Sequence, residues 1–167
     1  MRHNSTQRTI ECVIVCGIFG FLGELDSRVA RHCVATLAHR GPDGEGLWRG
    51  PGITLGHRRL AILDLSDDAA QPMADSSGRY QIVFNGEIYN FRDLRSELGG
   101  SWSSESDTEV ILRSYARWGL ECLGRLRGMF AFTLWDAAEQ RLVLARDRFG
   151  IKPLYVHQRP GLVLVAS

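Results

Sequence analysis

Lysine is all but missing from this chain: Lys152 is the only one, and arginine supplies the other 19 of the 20 basic residues. A GC-rich genome is enough to account for that bias, and no function follows from it. Against 19 acidic residues the formal charge is +1, which excludes a broad electrostatic attraction to nucleic acid or to an anionic membrane. Cysteine is sparse too. The four present (Cys12, Cys16, Cys33 and Cys122) form no C-x-x-C pair and no Cys/His spacing typical of zinc, so neither a metal site nor a disulfide framework is expected. A reducing cytoplasm fits that usage. Long apolar runs are lacking: the stretch from Val13 to Leu22 is too short to span a bilayer. It follows Arg2 and Arg8 as a secretion signal would, yet glycines interrupt it and no small-residue cleavage site comes after. There is no internal repeat, no low-complexity linker and no G-x-x-x-x-G-K-[ST] phosphate cradle.

What is present is the composition of one ordinary globular domain. A length of 167 residues with 44% hydrophobic and 23% charged side chains can bury a core but leaves no room for two independent lobes. Periodicity predicts a strand over Cys16–Leu22, followed by a helix capped by Asp26 that carries Val29, Cys33, Val34 and Leu37 on one face. The turn-rich loop His39–Gly44 leads to strands over Ile53–His57 and Leu60–Leu65. Another strand runs from Tyr80 to Phe84 and ends at Asn85-Gly86, a pair suited to a tight turn.

Asn90 is a plausible cap for a helix ending at Leu98, and a second helix starts near Asp107 with Val110, Ile111, Leu112 and Tyr115 facing a core. A helical piece over Leu120–Leu126 precedes strands at Met129–Trp135, Arg141–Ala145, Leu154–His157 and Leu162–Ala166. Strands and helices come in blocks, which favours layered α+β packing over a doubly wound parallel sheet.

Only the thiolate of a cysteine is a good nucleophile, so a catalytic cysteine needs a base or a positive environment. His39 and His57 lie in candidate loops, and folding could bring either to Cys16. The other source of a base is the α-amine of an N-terminal cysteine, whose ordinary pKa of about 7.7 to 8.0 lies close to working pH. Taken one at a time, these residues have plainer readings. Cys16 is then a buried strand cysteine, Arg58-Arg59 a solvated strand end, Asn85-Gly86 a hairpin turn and Asp107 a helix cap.

Six segments in order alter that weighing. Cys16-Gly17-Ile18-Phe19-Gly20, Arg40-Gly41-Pro42-Asp43, Gly56 to Asp64, Phe84 to Asn90, Ser106-Asp107-Thr108-Glu109 and Arg146 to Tyr155 resemble the glutaminase domain of glutamine-hydrolysing asparagine synthetases. These are class II glutamine amidotransferases of the N-terminal-nucleophile hydrolase type. The resemblance implies a four-layer αββα fold and L-glutamine as substrate, with Cys16 attacking the side-chain amide and ammonia leaving. It places Asn85 and the Gly86 N–H in an oxyanion hole, Arg59 on the substrate carboxylate, and Glu87 and Asp107 on its ammonium group. The backbone at Ile62 and Leu63 is similar to a stretch that lines the glutamine pocket. The Arg146–Tyr155 segment reads mainly as structural, with Gly150 and Pro153 shaping a turn between core strands.

No cofactor is expected for glutamine hydrolysis; ATP and magnesium belong to a synthetase domain or subunit, which the resemblance implies as partner and which this sequence lacks. A homodimer of the full-length enzyme is a further implied state. The nucleophile in such enzymes is the first residue, whereas fifteen residues precede Cys16 here. Residues 1–15 are therefore expected to be either a propeptide or an upstream misassignment of the start, with 16–167 the glutaminase domain. Val15 favours the second reading, because GTG, a valine codon, also initiates bacterial translation as methionine. The alternatives are an amidotransferase half serving another acceptor and a non-catalytic, truncated binding module.

Overall fold

The computed structural model describes residues 15–60 and 67–167. The chain opens with β1 (Gly17–Leu22), α1 (Ser27–Thr36), β2 (Gly44–Gly50) and β3 (Ile53–Arg59). The middle section holds the two-residue β4 (Met73–Ala74), then β5 (Tyr80–Ile88), α2 (Phe91–Leu98), α3 (Asp107–Trp118) and the single turn α4 (Cys122–Arg125). It closes with β6 (Gly128–Asp136), β7 (Arg141–Arg146), β8 (Tyr155–Arg159) and β9 (Leu162–Ala166). The strands make two antiparallel sheets, one ordered β2-β3-β1-β9-β8 and the other β4-β5-β6-β7. No helix among the described residues is long and apolar enough to cross a membrane.

Strand alternation explains why four layers result. In β1, Phe19 and Phe21 point to one face and meet Val34 of α1, while Ile18 points to the other and joins Ile53, Leu55, Val83, Ala131 and Trp135 between the sheets. The second sheet splits in the same way. Ile82, Phe84, Phe130, Phe132 and Leu134 turn away from the first sheet and pack on Val110, Ile111, Leu112 and Tyr115 of α3. Three apolar seams thus separate helix, sheet, sheet and helices, the αββα order that the family resemblance implies. Each large side chain fully buried in such a seam stabilises the fold by roughly 1.5–3 kcal/mol.

Most predicted elements are found close to their expected bounds, and the exceptions have local causes. Asp26 caps α1 by accepting the Arg28 and Val29 N–H groups, but the helix buries Ala30 and Val34 and leaves Val29 48% exposed. A strand the periodicity missed, β2, carries glycines at 44, 46 and 50, a composition that argues against strand. Pairing with β3 along its whole length holds it. Ser106, not Asp107, caps α3, its hydroxyl accepting the Thr108 N–H at 3.0 Å. Asn90 flanks α2 without a capping bond; its amide instead donates to the Arg125 carbonyl and accepts from the Arg127 N–H. Apart from Leu60, which belongs to no strand, the strand expected at Leu60–Leu65 falls outside the described residues, as do Ile62, Leu63 and residues 1–14.

Candidate active site

The cleft forms where β1 and α3 begin and β3 and β5 draw to their ends. Its walls include Cys16, Arg59, Asn85, Gly86, Glu87 and Asp107, so the described residues singled out by sequence converge on one place. Val15, His57, Gln71, Thr108, Met129 and Lys152 complete much of the remainder.

Cys16 stands one residue before β1, and the pairing of Gly17 with Arg58 continues to set it opposite Arg59. Its Sγ accepts the Leu60 N–H at 3.3 Å and lies 3.6 Å from the Leu60 carbonyl oxygen, to which the thiol donates. The Arg40 Nε–H donates to the Cys16 carbonyl at 3.3 Å. Burial pushes the thiol up; the Leu60 backbone bond and the positive charges of Lys152 and Arg59 work against that rise. The turn that carries Arg40 is held close to β3. A Cβ on Gly41 would strike the Arg58 carbonyl, while Arg58 Nε–H donates to the Gly41 carbonyl at 3.1 Å.

Across the cleft, β5 does not turn at Asn85-Gly86. It runs straight on to Ile88, because nine residues of β6 pair with it from Tyr80↔Asp136 to Ile88↔Gly128. The expected hairpin is therefore absent, and turn propensity has yielded to a continuous ladder. Gly is nevertheless required at 86, where a Cβ would run into the Met129 carbonyl oxygen.

The free edge of this strand supplies directed donors. The Phe84 N–H donates to Gln71 Oε1 at 2.6 Å and the Ile88 N–H to Asp107 Oδ2 at 2.9 Å, so N–H groups of this parity point away from β6. Strand alternation gives the Gly86 N–H, midway between them, the same direction, into the cleft. Beside it Asn85 is 1% exposed, and its Nδ2 has no hydrogen-bond partner among the described residues. A buried amide donor left unpaired costs on the order of 1–3 kcal/mol, so such a group calls for a ligand or a reacting atom to complete it.

The acids and cations come from different elements. Glu87 alternates onto the same face of β5 as Asn85, and Asp107 reaches it from the first turn of α3. Burial raises the Asp107 carboxyl to about 6, with the Glu87 charge adding to the rise and the Ile88 N–H opposing it. Arg59 closes β3 and faces the cleft from the other sheet. A cleft with two acids, an arginine and a lysine is complementary to a small zwitterion.

Neither histidine stands as a base for Cys16. His57 lies within β3 rather than in a loop, 1% exposed, and its Nε2 bonds the Phe84 carbonyl at 3.2 Å. Burial lowers it to about 4, so it is neutral at working pH and joins the two sheets. His39 is bonded to the Thr36 carbonyl at the exposed end of α1.

Gln71, which the sequence did not single out, and Lys152, from the segment read mainly as structural, also line the cleft. Likewise β8, expected as a core strand, is exposed along its length, so the Arg146–Tyr155 segment joins an inner strand to a sheet edge.

The fold and this cleft fit an N-terminal-nucleophile type of amidotransferase domain. The chain belongs to the glutamine amidotransferase domain family, whose pattern it matches over residues 15–167. Among curated proteins it is 44% identical over 144 residues to a putative glutamine-hydrolysing asparagine synthetase of Mycobacterium tuberculosis (strain H37Rv), covering 78% of this chain and 22% of that protein. Glutamine-hydrolysing asparagine synthetase 3 of Bacillus subtilis is 40% identical over 163 residues, with 92% and 26% covered. The amidase chyE of Penicillium rubens is 39% identical over 170 residues, with 92% and 25% covered. The chain thus spans about a quarter of the length of these relatives.

Proposed function

We propose that this domain hydrolyses L-glutamine to glutamate and ammonia, with Cys16 as nucleophile once it is the first residue of the chain. The observation that carries this reading is the unpaired, buried Asn85 Nδ2 beside the inward Gly86 N–H, in the same cleft as the Cys16 thiol. Donors placed in advance of the reaction are what an oxyanion requires.

The α-amine of Cys16 takes the thiol proton as sulfur bonds to the side-chain carbonyl carbon of glutamine, whose oxygen becomes an anion received by Asn85 and Gly86. The ammonium so formed returns its proton to the amide nitrogen. The C–N bond breaks, ammonia leaves, and a glutamyl thioester remains. Water then adds to the thioester, the C–S bond breaks, and glutamate departs as the thiol is restored. Arg59 grips the α-carboxylate with its planar fork, and Glu87 and Asp107 hold the α-ammonium. Residues 62–63 are assigned to the same pocket on the resemblance alone.

In this reading residues 1–15 are absent from the working enzyme. Their loss frees the amine and also removes Val15 from the cleft wall. The hydrolysis needs no cofactor. The ammonia is destined for asparagine synthesis from aspartate and ATP by a cytoplasmic synthetase domain or subunit, and the names of the bacterial relatives support that acceptor. A different acceptor is the second reading, favoured by the fungal relative named an amidase. Glutamate release by a chain starting at Cys16, measured beside its Cys16→Ala variant, tests the proposal: activity in the first and none in the second is expected.

A further inference from the structure

The backbone of Lys152 is held from both sides. Its N–H donates to Asp147 Oδ2 at 3.0 Å, and its carbonyl accepts the Arg146 Nε–H at 2.6 Å. The same Asp147 carboxylate takes the N–H groups of Phe149 at 3.1 Å, Ile151 at 2.9 Å and Phe130 at 3.2 Å. Arg146 also donates to the Gly150 carbonyl at 2.5 Å. Two side chains at the end of β7 thereby fix the whole turn against β6, at the residue that pairs with Gly86.

The outcome of that fixation is a half-buried lysine whose side chain lines the cleft with Cys16, Asn85 and Glu87. Among the described residues no carboxylate comes within ion-pair distance of its ammonium. A lysine that served only to solvate the surface would need neither its backbone pinned at both ends nor its stem turned inward.

We propose that Lys152 is a positioning residue of the glutaminase site, whose fixed positive charge offsets the cost of forming the Cys16 thiolate in a buried cleft. The cleft otherwise opposes that anion, since desolvation is the largest influence on the thiol and Lys152 is the strongest of the charged groups acting against it. The other charged or titratable groups facing Cys16 are Arg59 from β3, Arg40 from the turn after α1, Glu87 from β5, Asp107 from α3 and the neutral His57. Glu87 and Asp107 work against a thiolate, so the cations must outweigh them. Arg59 is assigned to the substrate carboxylate, which neutralises its charge when glutamine binds. Arg40 is turned to the Cys16 carbonyl rather than to sulfur, so Lys152 then remains as the cation acting on the thiol. No proton leaves Lys152 in this role, and no bond is made to it.

The inference rests on Cys16 being the nucleophile, but its test reads the thiol directly. The full chain is treated with iodoacetamide across pH 6 to 10, and alkylation of Cys16 is followed by mass on its own peptide, apart from the other cysteines. Lys152→Met and Lys152→Gln, which retain a stem of similar length without charge, are expected to move the alkylation midpoint upward and to slow the reaction at pH 7 by about five- to tenfold, the scale of one unit charge at moderate dielectric. Lys152→Arg is expected to remain within about twofold of the parent on the same ground. Superimposable profiles for parent and neutral variants overturn the proposal. So does a shift in Lys152→Arg equal to that in Lys152→Met. Failure of glutamine hydrolysis in the assay above would leave these profiles unchanged, so the two readings fail separately.

Discussion

The Asp107 carboxylate accepts the Ile88 N–H at 2.9 Å and so ties the first turn of α3 to the end of β5, within the cleft that holds Asn85 and Gly86. The bond uses one carboxylate oxygen and leaves the group in a buried cleft with Glu87, which raises its pKa from 3.8 to about 6. For an acid this shift means that the native state holds the proton more tightly than the unfolded chain. The favourable contribution is then present at low pH and lost as pH rises from about 3.8 to about 6. At neutral pH the ionised group is a burden of at most about 3 kcal/mol.

Asp107→Asn should therefore stabilise the domain above pH 6, raising Tm by about 5 °C, while raising KM for glutamine by about tenfold or more. In the parent, KM should climb as pH falls below about 6, and in the variant that rise should be missing. Thermal melts and glutaminase kinetics over pH 5 to 8 check both parts; a variant with lower Tm and unchanged KM contradicts them.

His57 has the opposite linkage. Its pKa falls from 6.5 to about 4 on burial, so the native state takes up its proton later than the unfolded chain. The stability it contributes is full above pH 6.5 and is lost as pH falls toward 4, about 3 kcal/mol across that window. The Asp107 window overlaps with reversed sign, so the parent's total curve blends the two. Urea unfolding of the parent and of His57→Gln separates them: the difference between the two should shrink by about 3 kcal/mol from pH 7 to pH 4. A difference that does not vary with pH excludes His57 as the source.

Asn85 and Arg59 should divide their effects between turnover and binding. In the proposed mechanism Asn85 serves only the developing oxyanion, so Asn85→Ala should lower kcat by about a hundredfold or more with little change in KM. Arg59→Ala and Arg59→Lys should mainly raise KM, since a lysine cannot reproduce two parallel bonds to a carboxylate. An unchanged kcat in the first variant, or an unchanged KM in the second, moves the role elsewhere.

Layers and strands were legible because they follow from periodicity that packing reinforces: Phe19 and Phe21 against Ile18 in β1, Val110 to Tyr115 in α3. Three failures show where local signals stop. Asn85-Gly86 has the chemistry of a turn, and only the long partner strand β6 makes it extended. Ser106 and Asp107 are both good caps, and the choice is decided by Ile88, which is nineteen residues away and needs an acceptor. The strand expected at Leu154–His157 opens on three apolar residues, yet β8 lies at the sheet edge with Tyr155 69% exposed. Within the cleft, Cys16, Arg59, Asn85, Gly86, Glu87 and Asp107 stand together, while Ile62 and Leu63 lie outside the described residues. Gln71 was not singled out and Lys152 was read mainly as structural, since their places in the cleft come from a hydrogen bond to β5 and a turn pinned on Asp147, long-range features with no periodic trace.

The activation of Cys16 by its own amine is tested most directly by comparing two chains, one beginning at Cys16 and one retaining Met1, each verified by intact mass and assayed for glutamate release. The account predicts that the first hydrolyses glutamine and that the second is inactive, although its Cys16 thiol still reacts with iodoacetamide. Equal glutaminase activity from the chain that keeps residues 1–15 contradicts it.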